Sequence, residues 1–146
     1  MPEAIIRRFS AIDRKRWNAL WQDYNIFYER SVEDRVTERL WSRLLENSGE
    51  PYGFAAELDG VVVGFAHYFF VFSTSDWNPR CYLQDLYAEP AARGRGVGRA
   101  LIEAVYAEAD RKEAAQTYWL TQEFNHTARR LYDRVGKLTP FVKYQR

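Results

Sequence analysis

The chain has little cysteine, little net charge and no long apolar run. One cysteine among 146 residues cannot form an internal disulfide, so a reducing cytoplasm is the expected compartment. Twenty-one basic side chains against twenty acidic ones leave a formal net charge of +1. Such a balance gives no general attraction to nucleic acid or to anionic membranes. We therefore expect neither of them as a partner.

Membrane segments and metal sites are also not expected. The longest apolar run, Phe65 to Phe72, is interrupted by His67 and falls well short of the about 20 residues that span a bilayer. The N-terminus has no basic region followed by an apolar stretch, so no signal peptide is predicted. The two histidines and the scattered acids fall at no ligand spacing, which argues against a metal site.

What the chain does contain is typical of a folded domain. Hydrophobic residues make up 47% of it and aromatic residues 16%, which excludes a disordered chain. Residues 1–146 are predicted to form a single domain, because this length does not support two cores. The order βααβββαβαβ predicts an α/β (α+β) fold, with a mixed sheet and helices on both faces. Asp59-Gly60 predicts a type I′ hairpin turn between two strands.

The most informative stretch follows a predicted strand at 80–88 and a turn at Pro90. Three alternating glycines stand there, and a helix begins directly on them. Because glycine leaves the backbone bare, N–H groups can converge on an anion at the helix N-terminus, where the macrodipole favours negative charge. Neither the Rossmann spacing nor a nucleotide P-loop is present. The predicted phosphate cradle comprises Arg93, Gly94, Arg95, Gly96, Val97, Gly98 and Arg99.

A second segment has the same strand-then-helix form. A strand is predicted at 116–121, and a helix starts near Asn125, which is a candidate N-cap. Ala128, Leu131 and Tyr132 lie on one face of that helix. From the residues alone, Tyr132 is either a core aromatic or a functional hydroxyl.

Together the two segments resemble the GNAT superfamily of N-acyltransferases, whose acetyl-CoA motif is similar to Arg93-x-x-Gly96-x-Gly98 after a strand. The resemblance implies a mixed, mostly antiparallel sheet whose parallel central strands splay apart, with acetyl-CoA in the gap. It places Leu86, Tyr87 and Ala88 along the pantetheine arm, and Asn125 and Ala128 beside it. It also implies that Tyr132 protonates the departing thiolate.

Within that superfamily, the chain looks like the yeast histone-and-polyamine acetyltransferase group. This likeness rests on Trp77, on the run from Tyr118 to Tyr144, and on a set of residues near the start: Trp17, Leu20, Trp21, Tyr24, Phe27, Tyr28 and Glu29. The stretch from Tyr82 to Tyr87 is more distantly similar to the spermidine/spermine acetyltransferases. The resemblance implies transfer of an acetyl group to a primary amine of a polyamine-like molecule or amino acid, by direct attack in a ternary complex. A protein acetyltransferase and a non-catalytic acetyl-CoA-binding regulatory module stay open as alternatives.

The attacking amine must lose a proton, and Asp85 is the predicted acceptor because it immediately precedes the residues expected beside CoA. A carboxylate that merely holds a neighbouring loop is the alternative. His67 is expected to be a satisfied core or cleft histidine. Rings and carboxylates suit a cationic amine, whereas Arg30 or Arg80 could hold an amino-acid carboxylate. The predicted acceptor-site residues are Tyr28, Glu29, Trp77 and Glu123.

The end of the chain predicts a homodimer. After the tyrosine helix only residues 137–146 remain, enough for one strand once Pro140 is allowed for. That strand would leave an open edge carrying Phe141 and Val142, which a protein in water should cover. The same segment of a second copy is the simplest cover. Protection of the edge by Lys143 and a nearby helix, in a monomer, is the alternative.

Overall fold

A five-stranded mixed sheet forms the centre of the computed structural model, which describes residues 3–146; the first two residues of the predicted domain lie outside the described part. Neighbouring strands follow chain order and are antiparallel except for the last pair, which is parallel. The strands are β1 (Ile5–Arg7), β2 (Tyr52–Leu58), β3 (Val61–Val71), β4 (Arg80–Ala88) and β5 (Thr117–Tyr118). The predicted mixed, mostly antiparallel sheet is confirmed.

Helices cover both faces of the sheet, as predicted. Helices α1 (Arg14–Phe27) and α2 (Asp34–Glu46) pack on one face, and α3 (Val97–Arg111) and α4 (His126–Val135) on the other. The α1-side core is aromatic, because Trp17, Trp21, Tyr24, Trp41 and Phe65 pack together there. The α3-side core is mostly aliphatic and includes Val63, Leu83, Val97, Leu101, Ile102 and Val105. Within the described residues, no helix is both long and apolar enough to cross a membrane.

The β2–β3 hairpin has the predicted turn. Asp59 and Gly60 have φ values of 51° and 81°, and both central residues of a type I′ turn require positive φ. Helix α2 begins after its N-cap residue Glu33, and Asp34 lies in its first turn, where the negative charge meets the positive end of the helix dipole.

Two expectations about the sheet are wrong. Strand β5 covers Thr117–Tyr118 rather than 116–121, and residues 137–146 form no strand. The parallel pair therefore lies at the edge of the sheet rather than at its centre. Pro140 cannot donate to a ladder, and residues 137–146 pair with none of the five strands of the described sheet. Phe141, Val142 and Tyr144 consequently stay exposed.

A β-bulge in β4 decides which way its second half faces. His67 pairs with Asp85 while Tyr68 pairs with Leu83, so Gln84 is an extra residue without a partner on β3. Before the bulge, Leu83 faces the α3-side core; after it, Leu86 faces that core. Asp85 therefore points towards α1, whereas unbroken alternation from Leu83 would point it towards α3.

Candidate active site

A cleft lies where β4 and β5 separate. Pairing between them ends at Tyr82 and Tyr118, which supports the predicted splaying of the parallel strands. Beyond this point the end of β4, the start of α3 and the inner face of α4 enclose a cavity of about 330 Å³. It is lined by Tyr24, Phe27, Tyr28, Leu86, Tyr87, Ala88, Ala92, Arg93, Gly94, Gly96, Val97, Gly98, Arg99, Asn125, Thr127, Ala128, Leu131, Tyr132 and Arg134.

The glycine segment has the geometry that an anion cradle needs. Gly94 and Gly96 have φ values of 80° and 74°, a region that residues with a Cβ rarely enter. A Cβ built at either position would meet no heavy atom within 4 Å, so open space stands in front of the backbone. Gly96 is the N-cap of α3, whose first-turn N–H groups lack intrahelical partners. The cradle thus fits a phosphate group.

Most residues predicted to bind the cofactor lie together in this cleft, including Leu86, Tyr87 and Ala88 of β4. Arg95 is different: it is not among the lining residues, and its NH1 group lies 3.6 Å from Asp59 Oδ2 at the hairpin turn. The cleft is also lined by residues that were not predicted to bind the cofactor, namely Phe27, Ala92, Thr127, Leu131 and Arg134. Of these, Leu131 was already predicted to share a helix face with Ala128 and Tyr132.

Tyr132 lines the cleft from α4. Its ring packs edge-on against Trp119 with centroids 5.5 Å apart. Gly136 leaves room for that indole, because a Cβ there would lie 2.8 Å from Trp119. Burial raises the pKa of Tyr132, and the nearby Tyr28 raises it further. The phenol is therefore protonated at neutral pH and can act as a donor.

Asn125 occupies the N-cap position of α4, but its side chain does not cap the helix. Its Nδ2 group donates to Thr121 Oγ1 at 3.1 Å and to the Tyr28 hydroxyl at 3.4 Å. The side chain thereby connects the start of α4 to the end of α1 across the cleft. Tyr28 and Asn125, predicted separately for the acceptor and for the cofactor, are thus neighbours.

Asp85 is buried behind the cleft rather than lining it. Its Oδ1 accepts a hydrogen bond from the Tyr24 hydroxyl at 3.0 Å, and Arg30 lies 3.5 Å from the same oxygen. Its Oδ2 lies 3.0 Å from Nδ1 of His67. Burial alone would raise the pKa of Asp85, but hydrogen bonds from His67 and Tyr24 and the charge of Arg30 outweigh it and lower that pKa. Asp85 is therefore ionised at neutral pH.

The predicted acceptor-site residues are only partly brought together. Tyr28 lines the cleft, whereas Glu29, Trp77 and Glu123 do not. Trp77 is fully exposed in the loop between β3 and β4. Arg80, the candidate for an amino-acid carboxylate, pairs with Asp76 in that same loop. Among residues 3–146, no three His, Cys, Asp or Glu side chains gather in a group that could hold a metal ion.

The model of the Acetyltransferase (GNAT) family matches residues 17–136. The chain belongs to the GNAT family. This GNAT acetyltransferase is 33% identical over 144 residues to the D-amino-acid N-acetyltransferase HPA3 of Saccharomyces cerevisiae, covering 97% of this chain and 89% of the relative. A thialysine N-epsilon-acetyltransferase of Bos taurus is 35% identical over 98 residues, covering 66% of this chain and 53% of the relative.

The fold is also shared with solved GNAT structures. The structure of AAC(6')-Iy in complex with the bisubstrate analogue CoA-S-monomethyl-acetylneamine superposes with a TM-score of 0.83. It covers 99% of this chain and 98% of the other, at 21% identity. At that identity the likeness concerns the fold. It agrees with the mixed sheet and splayed strands described above.

Proposed function

We propose that this GNAT N-acetyltransferase transfers the acetyl group of acetyl-CoA to the primary amine of a small molecule, either a polyamine-like amine or an amino acid. The observation that carries the proposal is that one cleft is lined both by the glycine cradle and by Tyr132. A phosphate-binding end and a proton donor in the same cavity are what a CoA-dependent transfer needs. Similarity to HPA3 and to thialysine N-epsilon-acetyltransferase supports the amine as the acceptor class.

In this proposal the chain holds acetyl-CoA at two places. The backbone from Gly94 to Arg99, with the Arg93 and Arg99 side chains, receives the pyrophosphate. The backbone of Leu86 and Ala88 pairs with the pantetheine arm, because β5 leaves that edge of β4 open. Acetyl-CoA supplies an activated thioester, and both substrates are bound together so that the amine attacks it directly.

Two residues of the chain, Tyr132 and Asp85, transfer protons in this proposal. Tyr132 donates a proton to the leaving sulfur, a role that its raised pKa permits because the phenol stays protonated until the thiolate forms. Asp85 is the proposed acceptor of the amine proton, and its lowered pKa means that it is in the ionised, unprotonated form at neutral pH. Tyr28 is the acceptor-site residue that the proposal keeps. Glu29, Trp77 and Glu123 are left out, since they do not line the cleft.

The proposal is tested by measuring free thiol released from acetyl-CoA with a panel of polyamines, D- and L-amino acids and a lysine peptide. Amine-dependent release with the small molecules is the expected result. Release with the lysine peptide alone would favour a protein acetyltransferase. Acetyl-CoA binding without release for any acceptor would favour a non-catalytic regulatory module.

We further propose that residues 1–146 act as a single domain, that the protein is cytoplasmic, and that it forms a homodimer through its C-terminal segment. The dimer is supported by the exposure of Leu138, Phe141, Val142 and Tyr144 and by the open edge of the two-residue strand β5. A second chain's segment could cover both at once.

Light scattering at micromolar concentration tests the dimer. A dimeric mass is expected, with loss of the dimer when residues 141–146 are deleted. A 17.3 kDa monomer, unchanged by acetyl-CoA, would contradict the proposal. A dimer that survives the deletion would place the interface elsewhere.

A further inference from the structure

A chain of buried hydrogen bonds runs from the α1-side core to the cleft. The Trp17 indole N–H donates to Nε2 of His67 at 3.1 Å, and Nδ1 of His67 lies 3.0 Å from Asp85 Oδ2. Asp85 Oδ1 accepts from the Tyr24 hydroxyl at 3.0 Å. Tyr24, at the far end of this chain, lines the cleft. These four residues therefore connect a buried carboxylate to a residue in the wall of the cleft.

The direction of each hydrogen bond follows from the chemistry of the groups. An indole nitrogen can only donate, so Nε2 of His67 is the unprotonated nitrogen, and the single ring proton is on Nδ1. That proton is donated to Asp85, so both ring nitrogens of His67 are engaged, Nε2 by the Trp17 indole and Nδ1 by the carboxylate. The free proton-accepting capacity of the network is therefore on the carboxylate of Asp85.

The same reasoning fixes the Tyr24 hydroxyl. Its proton is donated to Asp85, so only lone pairs of its oxygen remain for any other partner. Burial raises the pKa of Tyr24, and the charge of Asp85 raises it further, so this phenol does not ionise by itself. The Tyr24 oxygen can therefore accept a hydrogen bond from a further group, but it has no second proton to donate, and the negative charge of Asp85 lies beside it.

We infer that Tyr24 is a catalytic residue of the proposed acetyl transfer, receiving a proton from the acceptor nitrogen while passing its own proton to Asp85. The inference rests on the proposed function. His67 and Trp17 are positioning residues, since His67 contacts Asp85 through Oδ2 and Trp17 in turn holds the His67 ring, while Tyr24 binds Oδ1. Tyr24 thereby supplies the link that a buried Asp85 needs to act on a substrate.

The proton transfers balance without another reactant. The ammonium form of the acceptor gives one proton to the Tyr24 oxygen as the Tyr24 proton moves to Asp85 Oδ1. The nitrogen then bonds to the thioester carbonyl carbon and gives up its second proton to water as the carbon–sulfur bond breaks. The leaving thiolate takes a proton from Tyr132, which regains one from water. The proton on Asp85 returns to solvent by the reverse path through Tyr24.

Several charged or titratable groups surround this pathway and bear on its pH dependence. Arg30 lies over the Tyr24 ring, 5.1 Å from its centroid, and also near Asp85. Its positive charge favours the ionised carboxylate. The other titratable groups around Tyr24 and Asp85 are His67 on β3, Tyr28 after α1, and Tyr82 and Tyr87 on β4.

The dependence of kcat/KM on pH tests the inference, with Tyr24→Phe as the variant. The wild-type enzyme is expected to give a flat profile between pH 6 and pH 9 for an amine whose pKa is about 10, since it takes the ammonium form and removes the proton itself. Without the hydroxyl, only amine that is already neutral can react. The kcat/KM of Tyr24→Phe should then rise about tenfold per pH unit. At pH 7 it should be about 100- to 1,000-fold below that of wild type, and this difference should shrink towards pH 10.

Tyr106→Phe is the matched control. It also removes a hydroxyl hydrogen bond, the 2.6 Å bond to the Val135 carbonyl, but it lies outside the cleft on α3. Its profile should keep the wild-type slope whatever its effect on stability. Asp85→Asn, which removes the proton acceptor itself, provides a second variant and should share the steep profile of Tyr24→Phe. Retained stabilisation by acetyl-CoA verifies that each variant is folded.

The outcomes separate this inference from the function on which it rests. If wild type transfers acetyl groups and Tyr24→Phe has the same pH slope, the inference fails and the proposed function stands. If Tyr24→Phe stays inactive at pH 10 while binding acetyl-CoA, the hydroxyl has another role and the inference also fails. If wild type releases no thiol with any amine, the proposed function is wrong, and the inference about Tyr24 is wrong as well because it rests on that function.

Discussion

Replacing Gly96 by valine separates backbone strain from ligand binding. Gly96 has a φ of 74°, which costs a residue with a side chain about 1–2 kcal/mol. A Cβ there meets no heavy atom within 4 Å, so the protein alone offers no clash. The melting temperature without ligand should therefore fall by roughly 2–8 °C, given about 2–4 °C per kcal/mol for a chain of this size.

The rise in melting temperature that acetyl-CoA gives is expected to be reduced by a larger fraction than the melting temperature without ligand. Acetyl-CoA at a hundredfold excess over its Kd stabilises the folded wild type by about 2.7 kcal/mol, or roughly 5–10 °C. A valine side chain at Gly96 would occupy the open space in front of the cradle N–H groups. If Kd rises about a hundredfold, the gain at the same concentration falls to about 0.4 kcal/mol, which is roughly 1–2 °C.

Gly60 offers a closely matched control. It has a φ of 81°, and a Cβ there also meets nothing within 4 Å, but it lies in the β2–β3 turn and does not line the cleft. Gly60→Val should lower the melting temperature without ligand by a similar amount and keep the full gain from acetyl-CoA. Thermal melts of both variants with and without acetyl-CoA decide the matter. The cradle assignment would be refuted if acetyl-CoA raised the melting temperature of Gly96→Val as much as that of wild type. It would also be refuted if Gly60→Val lost as much of this rise as Gly96→Val does.

Two further predictions concern single side chains. Tyr132→Phe should lower turnover roughly ten- to a thousandfold with acetyl-CoA affinity nearly unchanged, as steady-state kinetics and binding would measure; unaltered turnover with chemistry rate-limiting would exclude the role. The Arg7 guanidinium beside Asp13 lowers the pKa of that carboxyl in the folded protein. The contribution of Asp13 to stability is therefore fully present at pH values above the carboxyl's ordinary pKa, and it is lost as the pH falls through the lower pKa of the folded state. Melting temperatures of Asp13→Asn should therefore vary less below about pH 4 than those of wild type, and parallel curves would contradict this.

Features that depend on a few consecutive residues could be predicted from the sequence. The Asp59-Gly60 turn needs only two residues that accept positive φ, and both have it. The strand at 80–88 and the glycine cradle after it are equally local, because glycine alone permits the backbone of that segment. Much of the part of the cleft formed by the end of β4 and the glycine segment follows from those patterns.

Features that depend on long-range packing could not be predicted in the same way. Glu29 and Glu123 have residue types that suit an amine, but loop geometry decides whether a side chain reaches the cleft, and these do not line it. Strand β5 ends after Tyr118 because its pairing with β4, its one neighbour in the described sheet, stops at that residue. No local pattern in 116–121 carries that information.

The side to which Asp85 points is the clearest case of such long-range control. Alternation along β4 from Cys81 and Leu83, which both face the α3-side core, would turn Asp85 to the same core and away from Tyr24. The unpaired Gln84 reverses the alternation, and only the pairing of β4 with β3 shows that it is there. One extra residue thus brings Asp85 beneath α1, where His67 and Tyr24 meet it. Asp85 could be named from its place in the strand, whereas Tyr24 as its connection to the cleft required the fold.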